Sequence, residues 1–171
     1  MGSEFREMRR SKQQLSHEEC EELLRNEVHG TLAMFGDGGY PYAIPLHFTY
    51  DGEKGIVYLH GARSGHKIDA LRKNDKVCFT VYDGPVHEDE AGRSYHHCVV
   101  IFGRVRLVED EDEKMRSAWD LCAKFETPQE VEDHLRREVA TVQMLILSID
   151  HMTGKRVKAQ SELPLFKRNL S

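Results

Sequence analysis

The sequence predicts a mostly β (α+β) domain of six to seven mainly antiparallel strands, an antiparallel sheet or barrel with helices at the connections. Three observations lead there. Short apolar or alternating runs recur between residues 31 and 82, separated by the turn sequences "GDGG" and "DGEKG". Few βαβ alternations occur, so hairpins rather than crossovers link most strands. Neither GxGxxG nor a Walker loop is present, which removes the main support for a Rossmann or P-loop arrangement.

The elements follow in order. "MGSEF" reads as a cloning scar and residues 1–7 as a disordered start, with the natural chain beginning near Met8. "LSHEECEELL" opens a helix. Ser16 and Glu19 form a capping box, Leu15 and Cys20 a hydrophobic staple. Cys20, Leu23, Leu24 and Val28 supply its buried stripe, and Gly30 is the expected stop. "TLAMF" (31–35), "YPYAIPLHFTY" (40–50) and "IVYLH" (56–60) read as strands. Pro41 and Pro45 mark the second as irregular or at an edge. A short helix over 65–73 follows, with Ser64 as expected N-cap and Ile68 and Leu71 on one face.

"KVCFTVY" (76–82) is the next strand, 83–94 a polar loop, and "YHHCVVIFGRVRLV" (95–108) a long strand with a bulge or bend at Gly103. A helix over 111–125 should turn Met115, Trp119, Cys122 and Phe125 to a core. The acidic run "EDEDE" (109–113) complements its dipole. Thr127, Pro128 and Glu130 form the cap of a second helix. "VQMLILSID" (142–150) is a strongly apolar strand, "MTGKRV" a turn into a short last one, and 161–171 a tail.

Composition bounds the function. The chain has 171 residues, 39% hydrophobic and 31% charged, enough for one domain with a real core over 8–160. A net charge of −5 argues against a dedicated nucleic-acid binder. No apolar run approaches a membrane span and no signal peptide is visible, so a cytoplasmic protein without membrane partners is expected. Cys20, Cys78, Cys98 and Cys122 form no CxxC, so neither disulfides nor structural zinc are expected.

The stretch "HGARSGHK" (60–67) poses a chemical question, because it places Arg63, His66 and Lys67 at a helix start. The free N–H groups there already carry partial positive charge. An anion reverses the sign of the interaction, and phosphate is the usual guest at such an end. Solvated side chains that merely lie together are the bland alternative. His47, on a strand between Leu46 and Phe48, reads either as a hydrogen-bonded rim residue or as a substrate, proton or haem contact. His87, Glu88, Asp89, Glu90, His96 and His97 offer imidazoles and carboxylates but lack ligand-like spacing. His96 and His97 alternate across a strand, so no metal site is expected and a solvated acidic loop is the default reading.

With "MRR", "IPLHF", "YLHGA…GHK", "NDKVCF", "IFGRV" and a late "GK" in order, residues 8–160 resemble a known family. This is the flavin-binding split-barrel family related to pyridoxamine 5′-phosphate oxidase, in its 5-nitroimidazole resistance branch. The resemblance implies a Greek-key split barrel working as a homodimer, with FMN in a groove at the subunit interface. It gives Lys67 and His66 the FMN phosphate, His66 standing where the family often has Arg. His60, Gly61 and Ala62 would pass the phosphate and ribityl chain. Ile44, Pro45, Leu46, His47 and Phe48 would edge the isoalloxazine ring. His97 and Cys98 would reach FMN from the neighbouring subunit, His97 departing from a small hydroxyl residue common there. The implied activity is an FMN-dependent oxidoreductase using a small-molecule donor and a small acceptor such as a nitroaromatic. The alternatives are a haem-binding protein with His47 or His97 as ligand, and a flavin binder without turnover. Pyridoxamine 5′-phosphate oxidase activity itself is not expected, because "SELPLFKRNLS" lacks the Arg-rich ending.

Overall fold

The computed structural model describes residues 5–84 and 87–158. The expectations for most of the cloning scar and for the C-terminal tail and its ending lie outside the described residues. Within them, eight strands form one antiparallel sheet that curls into a split barrel: β1 (His29–Phe35), β2 (Pro41–His47), β3 (Thr49–Asp51), β4 (Ile56–Ala62), β5 (Lys76–Tyr82), β6 (His87–Glu88), β7 (Ser94–Leu107) and β8 (Val142–Lys158). The order across the sheet is β2-β1-β5-β7-β8-β4-β3, with β6 paired to β7, so β2 and β3 are edges. The helices are α1 (His17–Asn26), α2 (His66–Lys73), α3 (Glu111–Cys122) and α4 (Pro128–Glu138).

Two cores explain the strand patterns. Inside the barrel, Leu32, Phe48, Val57, Leu59, Phe79, Ile101 and Leu147 pack with Leu24 of α1 and Ile68 of α2. On the opposite face of β4 and β8, Tyr58, Met144 and Ile146 pack under Ala118 and Leu121 of α3 and Val131 and Leu135 of α4. β4 and β8 are therefore covered on both faces, which is why Met144, Leu145, Ile146 and Leu147 are buried in succession where β1 and β5 alternate.

The two capping boxes form as expected. Ser16 Oγ accepts the Glu19 N–H at 3.1 Å while Glu19 Oε2 accepts the Ser16 N–H at 2.7 Å. Thr127 and Glu130 repeat the capping box, and Asp110 caps α3 through the Glu113 N–H at 2.8 Å. The register shift between Phe102 and Gly103 is the expected bulge.

Four expectations are corrected. α1 ends at Asn26, and Gly30 lies inside β1 instead of stopping the helix; Val28, beyond α1, is only half-buried. α2 begins at His66 with Gly65, not Ser64, as N-cap. Met115 and Phe125 of the predicted α3 stripe are exposed, with Phe125 beyond the helix. The buried stripe is Lys114, Ser117, Ala118 and Leu121, of which Ala118 and Leu121 pack against Tyr58, Met144 and Ile146 of β4 and β8. Finally, "MTGKRV" is no turn. β8 runs unbroken to Lys158 because Gly154 is where α1 presses on the strand: a Cβ there would sit 2.4 Å from Cys20 Sγ and 2.9 Å from Leu15.

Candidate functional site

The turn from β4 into α2 gathers the basic residues. Gly65 takes φ 116°, a conformation L side chains rarely adopt, and no side chain caps the helix. The first-turn N–H groups therefore lack the side-chain acceptor that a Ser or Asp cap provides. Lys67 of that turn folds back over β4, its Nζ donating to the His60 carbonyl at 3.2 Å. Gly61 makes this path possible, since a Cβ there would lie 2.1 Å from Lys67 Nζ. Lys67 is half-buried, and burial alone lowers its pKa. Among the described residues no carboxylate forms an ion pair with it.

His66 stacks on Tyr42 of β2 at 4.1 Å between ring centroids, with Nε2 3.6 Å from Asp37. Lys73 bonds the same Asp37 at 2.8 Å, so the β1–β2 turn and α2 are tied across the mouth of the site. His60 is half-buried with Nδ1 unpaired, and burial, then Lys67, lowers its pKa. Arg63 donates to the Ala140 carbonyl at 3.1 Å, in the turn before β8. The three basic residues of "HGARSGHK" thus divide: Lys67 and His66 lie at the helix start, while Arg63 secures a neighbouring loop.

Strand β2 forms a second wall. The Phe48 N–H bonds Val28 of the β1 side at 3.2 Å, so even-numbered residues here pair with β1. Odd-numbered residues, including Pro41 and Pro45, then turn their backbone groups to the free edge, where a missing N–H is harmless. This edge offers the N–H groups of Ala43 and His47 and the carbonyls of Ala43, Pro45 and His47. The side chains divide as well. Pro45 and His47 are exposed, whereas Ile44 and Leu46 pack on the barrel core and Phe48 is fully buried, edge-on to Phe79 at 5.2 Å. The Phe48 ring is a core element and out of reach of a groove ligand. His47 Nε2 shares a hydrogen bond of 2.8 Å with His29 Nε2.

His97 and Cys98 lie at the other end of the barrel. The Val108 N–H bonds the carbonyl of Met144, the residue registered against His60. His97 is eleven positions earlier on the chain, roughly 35 Å of strand contour away. The two residues face opposite ways. Odd positions of β7 point inward with Val99 and Ile101, and the His97 ring stacks on His87 at 4.1 Å. Cys98 lies outward, registered with Tyr82. That outer face is apolar: Phe35, Tyr40, Tyr82 and Phe102 are 65%, 77%, 54% and 40% exposed. A groove of about 410 Å³ runs across it, lined by Ala33, Phe35, Pro41, Cys78 and Phe102.

Sequence reasoning missed Tyr42, Asp37 and His29, partners that β1–β2 pairing supplies. Tyr42 alone carried a signal, the two-residue spacing from Ile44.

Residues 16–156 match the family model described as pyridoxamine 5′-phosphate oxidase. Over 87 residues the chain is 37% identical to a 5a,11a-dehydrotetracycline/5a,11a-dehydrooxytetracycline reductase of Streptomyces rimosus, a match covering 50% of this chain and 58% of that relative. Among solved structures, the fold is similar to a candidate 5-nitroimidazole antibiotic resistance protein from Bacteroides thetaiotaomicron, with TM-score 0.70, 23% identity and coverage of 82% of this chain and 84% of that one. It is also similar to an FAD- and haem-binding protein from Mycobacterium smegmatis, with TM-score 0.68, 22% identity and coverage of 93% and 91%. At these identities the structural likeness is one of fold.

Proposed function

The chain belongs to the pyridoxamine 5′-phosphate oxidase family, and from that premise we propose that it is an FMN-binding homodimeric oxidoreductase that reduces a small, flat acceptor such as a nitroaromatic. One observation carries the reading. Lys67 is a desolvated cation, without a carboxylate partner among the described residues, beside a helix start that no side chain caps. A phosphate satisfies both groups at once, accepting from the first-turn N–H groups and pairing with Nζ. His66, held against Tyr42, adds a titratable donor at the rim.

The remaining residues orient and shield. Gly61 and Ala62 leave room along β4, and His60 offers its unpaired nitrogen. The free edge of β2 at Ala43, Pro45 and His47 presents backbone groups suited to the polar rim of an isoalloxazine ring. The apolar outer face supports self-association, and Cys98 lies outward beside Tyr82 of that face. When bound, FMN supplies the redox chemistry, and the protein contributes binding, orientation and exclusion of water. The Streptomyces relative, a reductase, supports turnover over passive storage.

Haem is the second reading, favoured by the exposed imidazole of His47, which would have to exchange its bond to His29 for an axial ligand. An absorption spectrum of the protein mixed with FMN, FAD or haem and then dialysed separates these. Retention of the two-banded flavin spectrum with FMN is the expected result. Retention of FAD in preference to FMN, or a single intense Soret band with no flavin held, overturns it.

A further inference from the structure

Beneath α1, at the end of the barrel remote from Lys67, the carboxylate of Asp83 is 3% exposed and surrounded by imidazoles. Its Oδ1 accepts the His97 N–H at 2.8 Å, and its own N–H donates to the His97 carbonyl at 3.1 Å. This backbone clamp fixes the carboxylate and leaves Oδ2 to the side chains. His87 Nε2 lies 2.6 Å from Oδ2 and His97 Nδ1 lies 3.7 Å from it. A third ring, His96, places Nδ1 3.6 Å from Oδ1, buried and without a hydrogen-bond partner.

We propose that Asp83, His87 and His97 form a binding site for a divalent transition metal of the zinc type. The three donor atoms lie within 4.8 Å of one another. A tetrahedral ion with bonds of about 2.0–2.1 Å to nitrogen and oxygen needs its ligand atoms ~3.3 Å apart. The His97 nitrogen is already near that spacing from Oδ2. The His87–Asp83 contact has to open by less than ~1 Å, and the His87 and His97 rings, stacked at 4.1 Å and 7°, have to turn apart so that both nitrogens aim at the ion. Two imidazoles and one carboxylate leave a fourth position open toward a cavity of about 210 Å³, whose other walls include Glu19, Glu22 and Glu27. That acidic mouth favours entry of a cation.

The alternation of His96 and His97 argued against a shared ion at the sequence level. The structure removes the objection, because the site uses His97 with His87 and Asp83 and leaves His96 at the other carboxylate oxygen. Asp83 itself gave no signal, standing at a strand end four residues before His87.

The full chain, dialysed against a chelator, is titrated with Zn²⁺ by calorimetry, with Co²⁺ as a coloured replacement. One ion per chain is expected. His87→Ala, an exposed position, and His97→Asn should each weaken binding at least ~10-fold, with folding checked by circular dichroism and FMN retention unchanged in His87→Ala. Cys122→Ser removes a donor from a second trio among the described residues whose atoms could hold an ion, Cys122, Glu126 and His134, and should leave affinity unchanged. No Zn²⁺ uptake, uptake indifferent to His87→Ala, or uptake abolished by Cys122→Ser overturns the proposal.

Discussion

Lys67 and Asp83 are withdrawn from water at opposite ends of the same barrel, and their surroundings differ in kind. Lys67 has one carbonyl and no acid among the described residues. Asp83 has a backbone N–H and three imidazoles. A charge taken out of water is costly unless paired. At the Asp83 end the charge is met within the chain, Oδ1 accepting the His97 N–H and Oδ2 facing His87 Nε2, while His96 Nδ1 stays without a hydrogen-bond partner. At the Lys67 end no carboxylate among the described residues pairs with the ammonium, and the phosphate proposed above would supply that charge. The comparison teaches that one buried charge is paired within the chain, while the other, among the described residues, has only a carbonyl, which is what the proposed phosphate site rests on.

Substitutions should expose this asymmetry. Asp83→Ala leaves the His97 N–H and the imidazoles without their acceptor and should cost about 3 kcal/mol of folding stability, the lower end for breaking a buried pair. Urea denaturation measures it, and a loss below ~1 kcal/mol would make the two ends alike. Lys67→Ala should behave in the opposite manner. FMN affinity should fall by roughly 1.5–3 kcal/mol, the range for hydrogen bonds to charged groups, while the apoprotein keeps its stability because a desolvated charge has gone. Gly61→Ala drives a Cβ into the space of Lys67 Nζ. Since the tip of a flexible side chain yields, stability should change by less than ~1 kcal/mol while FMN binding weakens.

The smallest effect is on pH dependence. Burial lowers the pKa of His60 and of His97 from the ordinary value near 6.5. The unfolded chain therefore takes up these protons first, so stability is fully present above pH ~6.5 and is lost as pH falls through the lowered folded values. His60→Gln should flatten part of that slope in denaturation at stepped pH. An unchanged slope would remove His60 from the account.

Much of this was legible beforehand, for reasons particular to each element. The capping boxes at Ser16 and Thr127 and the strand "KVCFTVY" are local signals, and they form as written. The stretch "HGARSGHK" showed the unusual charge at α2, but not that Gly65 rather than Ser64 would precede the helix and leave it uncapped. Gly154 and Gly30 misled because a glycine marks either a turn or a close approach, and only tertiary packing decides. Here α1 presses on Gly154, while Gly30 lies against Phe79. Phe48 was read with "IPLHF" as lending backbone groups to the flavin rim, and its burial in the core next to Phe79 was not legible from that segment. The Asp83 cluster joins a strand end, a two-residue strand and the start of β7, and no pattern within one segment could announce it.

The affinity of FMN relative to riboflavin, which lacks the phosphate, tests the central claim most directly, measured by fluorescence quenching in the native protein and in Lys67→Ala. The account predicts that the native protein prefers FMN at least ~10-fold and that the preference collapses when Lys67 is removed. Equal affinities in the native protein, or a preference that survives Lys67→Ala, would contradict it.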